Sequence, residues 1–170
     1  MKRALPTVAA LLVGFLLQIA VAPYLAIAGV VPNFLLLVVV TLALVEGSVW
    51  GCASGFVAGL LFDLVGSGPV GPMALVLSGV GYAAGALQAN LFAEGWLLPL
   101  TVLGIASITV ELSYGLVLAL LGEASGLWRT FLTVMLPEAL YNVALGLLTY
   151  PVLARLLRRG RPMRTFRRIG

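Results

Sequence analysis

The sequence predicts an all-α fold, a polytopic bundle of six transmembrane helices, on three observations. The chain of 170 residues is 62% hydrophobic and only 9% charged, with a mean hydropathy of +1.15. Soluble domains carry roughly 25% charged residues, so most of this exterior has to face lipid. Six apolar segments fit the span length of about 20 residues, within a range of roughly 17–25, that crosses the hydrocarbon. Basic residues gather at both ends, with Lys2 and Arg3 at the start and Arg155, Arg158, Arg159, Arg161, Arg164, Arg167 and Arg168 near the finish. Basic flanks stay in the cytoplasm. Both termini are therefore expected there, which requires an even number of crossings.

The first segment, Leu5–Ala22, follows Met1-Lys2-Arg3 and superficially resembles a secretory signal. No small-x-small cleavage site precedes a polar mature chain, so it reads as a retained helix. The second, Val31–Val45, opens with Pro32 and Asn33, and the third is Val49–Val65. Both are short and joined tightly through Glu46-Gly47-Ser48, a pattern also open to a re-entrant hairpin or a five-span reading. The shared side of the termini favours six. The remaining segments are Met73–Phe92, Trp96–Leu121 and Thr130–Leu157. Residues 1–157 thus form one transmembrane domain, and 158–170 form a basic cytoplasmic tail that anchors topology and attracts anionic lipid. Tyr24, Trp50, Trp96 and Trp128, near span ends, fit an interfacial belt.

Helices in lipid associate through close contact and polar bonds, because the surrounding tails are as apolar as leucine. Gly51, Gly55 and Gly59 recur at intervals of four in the third span, and Gly81, Gly85 and Ala89 do so in the fourth. These ridges predict close helix packing, with one another across the loop between the two spans.

Six spans of fixed direction place the polar residues by depth. Asn33 opens span two from the outer side, and Asp63 ends the outward-running span three. Glu138 enters span six just after Pro137, with Asn142 one turn further on the same face. Glu111 lies past the middle of span five, with Tyr114 one turn outward. Four spans therefore bring a polar group to the outer half of the bilayer. An ionised carboxylate in hydrocarbon costs at least ~2.5–3.5 kcal/mol, so these side chains should turn to the bundle interior or to a cavity. Two readings stand: mutual bonding that fixes the bundle, or a polar site open to the outer surface. Arg129, beside Glu123 in an outer loop, reaches only the outermost acids.

Catalytic equipment is missing by composition. The chain has no histidine, one cysteine (Cys52), one lysine (Lys2) and one aspartate (Asp63). An aspartyl dyad needs two carboxylates sharing a proton, and a serine nucleophile needs a base beside it. A zinc site needs His or Cys ligands in number. The expectation is a protein that is not an enzyme and carries no metal or cofactor. No aromatic platform or folded basic domain accompanies the arginines, which argues against nucleic-acid binding.

The series "PNFLLLVVVTLAL" followed by "GSVWGCASGFVAGLLFDLVGSGPVGPMALVLSGVGYAAG" resembles the bacterial rod shape-determining protein MreD family. The shared signature is Pro and a polar residue opening span two, a Gly-rich span three ending in Gly-hydrophobic-Asp, a Gly-Pro-Gly loop, and Gly-Tyr in span four. It covers about residues 32–85, and the remainder agrees in hydropathy and basic tail. The family often has aspartate where this chain has Asn33. The resemblance implies an inner-membrane scaffold or regulator of cell elongation and peptidoglycan synthesis. It implies an MreC-like partner and, as further companions, RodA and a class B penicillin-binding protein. The positions carried over are Pro32, Asn33, Asp63, Gly68, Pro69 and Gly71; Glu111, Glu138 and Asn142 join them as a candidate polar site on depth alone. The family is also said to share architecture with the substrate-capture subunits of energy-coupling-factor transporters. A small-molecule-binding membrane subunit is therefore the alternative reading, with Ala10 and Gly14 of the first span as a small-residue pair able to dock a transporter module.

Overall fold

A computed structural model of the chain describes residues 4–27, 29–66, 68–90, 97–122 and 131–158. Lys2, Arg3, Trp96, Glu123, Trp128, Arg129 and the arginines from Arg159 onward lie outside the described residues. The described chain forms six α-helices: α1 (Ala4–Ala20), α2 (Phe34–Glu46), α3 (Ser48–Val65), α4 (Pro72–Asn90), α5 (Leu97–Leu120) and α6 (Leu136–Arg158). A 3-10 turn (Ala22–Leu25) follows α1, and a π-helical turn (Phe131–Met135) leads into α6. No strand occurs among the described residues; the extended chain after α1 forms one isolated bridge, Ile27 to Val30.

The bundle is organised around α2, which touches all five other helices. Every residue from Phe34 to Val45 is buried, which accounts for its composition. A helix enclosed on all sides has no polar face to present and reads as apolar all round. Its lone hydroxyl, on Thr41, donates to the Leu37 carbonyl at 2.7 Å. The helix has 13 residues and rises about 20 Å, short of the ~30 Å hydrocarbon thickness. Three helical stretches are long and apolar enough to cross a membrane: Ser48–Val65, Leu98–Val117 and Phe131–Arg158. Those at Ala4–Ala20, Phe34–Glu46 and Pro72–Gln88 are shorter apolar helices.

Two boundaries differ from the sequence reading for identifiable reasons. The second span was placed from Val31, but α2 begins only at Phe34. Proline disfavours helix at the residue before it, and Asn33 then caps the helix, its side chain accepting from the Leu36 N–H at 3.0 Å. The sixth span was drawn as continuous from Thr130, whereas a π-helical turn occupies Phe131–Met135 ahead of Pro137. Extra-wide turns of this kind accompany local disruption of the helical ladder.

The tightest packing lies between α3 and α4. A Cβ built on Gly51 would collide with the Gly81 carbonyl and one on Gly55 with the Leu77 carbonyl. One on Gly59 would strike the Met73–Ala74 backbone, and one on Gly85 the Ser48 backbone. Backbone thus lies directly on backbone along the whole contact, an approach open only to residues without a side chain. Cys52 Sγ and Ser78 Oγ add a 3.2 Å hydrogen bond across the same interface.

Candidate functional site

The polar residues gather in two places. The first is the break before α2. Non-helical backbone inside a membrane survives only where protein satisfies its hydrogen bonds, and here three side chains do so. Gln18 of α1 accepts from the Phe34 N–H at 2.7 Å and donates through Nε2 to the Pro32 carbonyl at 3.2 Å. Asn142 of α6 accepts from the Asn33 N–H at 2.9 Å. Asn33 caps its own helix. Asn33 and Asn142 are buried, at 2% and 0% exposure, so this junction ties α1, α2 and α6 together in a region closed to solvent.

The junction continues toward α5. Glu138, one turn before Asn142 on α6, lies beside Glu111 of α5. The Asn142 Nδ2 lies beside Glu138 without a well-directed hydrogen bond. One turn before Glu111, the Ser107 hydroxyl is fully buried with no hydrogen-bond partner among the described residues.

The second place is the turn between α3 and α4. Asp63, 4% exposed, accepts from three backbone N–H groups: Gly71 at 2.8 Å, Met73 at 3.1 Å and Ala74 at 3.3 Å. These donors belong to the first turn of α4 and the residue before it. Helix starts leave such N–H groups unpaired, and their positive end attracts a carboxylate. Asp63 therefore caps the helix that follows its own, which is why one acid ends the glycine-ridged span. Gly71 holds φ +119, a conformation that favours glycine and turns its N–H onto the carboxylate. Gly68 is exposed and packs close to Tyr114, whose hydroxyl would lie 3.0 Å from a Cβ placed there. Pro69 is half-buried in the same loop.

The structure thus joins Pro32, Asn33, Asn142, Glu138 and Glu111 in one connected group, and Asp63 with Gly71 in another. Tyr114, three residues along α5 from Glu111, brings the second close to the first. Sequence reading missed Gln18 and Ser107. A lone glutamine near the end of an apolar helix is itself a signal, since a buried amide in lipid needs partners. Ser107 gave no comparable signal; serine at a helix contact is ordinary in membranes. Gly14, offered as part of a docking pair, is buried with its Cβ position 2.8 Å from Val38, and it lines with Ala10 a groove between α1 and α6. Among the described residues no group of three or more His, Cys, Asp or Glu is arranged to hold a metal ion.

A helical bundle with apolar spanning helices, its Asp63 buried and bonded to backbone N–H groups, defines a polytopic membrane protein. The family model for the rod shape-determining protein MreD matches residues 1–160, and the chain belongs to that family. No curated protein and no solved structure matches it.

Proposed function

We propose that this chain is a non-enzymatic scaffold of the bacterial inner membrane, multi-pass with both termini cytoplasmic, which holds an MreC-like partner within the cell-elongation machinery. RodA and a class B penicillin-binding protein are further companions on this reading. Family membership supplies the connection to rod shape. The observation that carries the scaffold reading is the engagement of the polar groups. The Asp63 carboxylate is occupied by three backbone donors, and the Gln18–Asn33–Asn142 junction by backbone groups of α2. Groups so occupied hold a fold; they do not turn over a substrate.

Binding then has to occur through helix faces in the bilayer, where small residues let a partner backbone approach. The glycines of the α3–α4 ridge are consumed internally. Gly79 and Ala83, four residues apart on α4, are both exposed, and a Cβ on Gly79 would meet nothing within 4 Å. This outward face of α4 is where the reading seats a single-span partner helix. Co-expression with the MreC-like protein of the same genome, followed by affinity purification into nanodiscs, tests it. Retention of that partner by the folded chain is expected; recovery of folded chain without partner contradicts the proposal.

A further inference from the structure

An open groove runs between α1 and α6 with α2 as its floor and encloses about 500 Å³. Its walls include Pro6 and Leu17 of α1, Phe34 and Val38 of α2, and Leu148 and Leu156 of α6. The wall is almost wholly apolar, and its one hydroxyl, on Thr149, is bonded to the Leu145 carbonyl of its own helix.

Three features limit what fits there. From Pro6 to Leu17 the groove follows α1 for about 16 Å at ~1.5 Å per residue, which is one leaflet of a hydrocarbon core about 30 Å thick. One end is closed by polar structure, because Gln18, next to the wall residue Leu17, is bonded across the gap between α1 and α2 to the Phe34 N–H and the Pro32 carbonyl. The other end lies at the last turn of α6, where the exposed Arg155 follows the wall residue Val152 by three positions, at the edge of the groove face. A partner helix crossing the bilayer would need both leaflets and has no reason to end at an arginine. A lipid has the right length and the right charge.

We propose that this groove is a binding site for one anionic phospholipid, with an acyl chain lying against α2 between α1 and α6 and the phosphate held at Arg155. The site is independent of the Gly79 face and stands or falls separately from the scaffold reading. Ordered lipid here fills the gap between α1 and α6 and fastens the first helix to the last.

The test is native mass spectrometry of the full chain in mild detergent, mixed with equal amounts of phosphatidylglycerol and phosphatidylcholine bearing identical chains. An arginine near an anionic headgroup favours binding about fivefold, so one phosphatidylglycerol should be retained with a preference of about that size. Ala9→Trp, at an exposed position on the groove wall, should abolish retention. Val152→Trp on the opposite wall should do the same and serves if the first variant does not fold. The variant R155Q should hold both lipids equally. Equal retention by the unaltered chain overturns the proposal, as does unchanged retention in both folded wall variants. Loss of a copurifying partner from those variants with lipid retention intact would assign the groove to a protein helix and also overturn it.

Discussion

Asp63 shows how one residue can look functional in sequence and act structurally in the fold. An isolated aspartate in an apolar chain invites a catalytic or ion-binding reading, yet its oxygens meet the N–H groups that open α4. Removing a side-chain cap costs about 0.5–2 kcal/mol. Asp63→Ala should therefore lower the melting temperature clearly in detergent. Asp63→Asn keeps one carbonyl oxygen toward the same donors and should lose about half as much; an Asn variant as damaged as the Ala variant would show that charge, not acceptance, matters. Ser107 works in the opposite direction. Its buried hydroxyl has no partner among the described residues, and an unsatisfied buried polar group costs about 1–3 kcal/mol. Ser107→Ala should raise the melting temperature, and a fall would mean the hydroxyl is bonded in the membrane. At Glu138, glutamine keeps a polar group of the same size beside Glu111 and Asn142, whereas alanine removes it. Glu138→Gln should therefore remain close to the unaltered chain in thermal stability, and Glu138→Ala should fall well below it.

At the scale of helices, the glycines divide by where their missing side chain would go. Gly55 lies against the Leu77–Ser78 backbone, so Gly55→Leu forces α3 and α4 apart. Overpacking typically costs about 1–3 kcal/mol, and with backbone as the obstacle the variant should aggregate on size-exclusion chromatography. Gly79 faces open space, so Gly79→Leu should elute as the unaltered chain does and yet recover less partner. The ridge was legible in sequence because intervals of four place residues on one helical face. What sequence could not supply was the partner of each ridge or which small pairs face outward, since spacing does not say which side of a helix is covered. Gly14 illustrates this: its interval with Ala10 suggests docking, and the two line the groove between α1 and α6, with Gly14 against Val38 on its floor.

For the whole molecule, composition made the lipid-facing exterior legible, because so few charged groups leave no other, and apolar segments of span length made the helices legible. The central place of α2 was less legible. Its uniform apolarity fits either a lipid-facing or an enclosed helix, and only the neighbours decide. The clamp at its start was half visible: Asn33 and Asn142 stood out as polar residues at similar depth, while Gln18, supplied by α1, gave no motif. Partner binding is the claim that most needs a direct measurement. A photoreactive amino acid placed at Leu75, one turn before Gly79 on the exposed α4 face, should crosslink the MreC-like protein in native membranes, whereas the same probe at Leu116, exposed on α5, should not. Adducts from Leu116 alone, or from neither position in cells that make both proteins, would contradict the account.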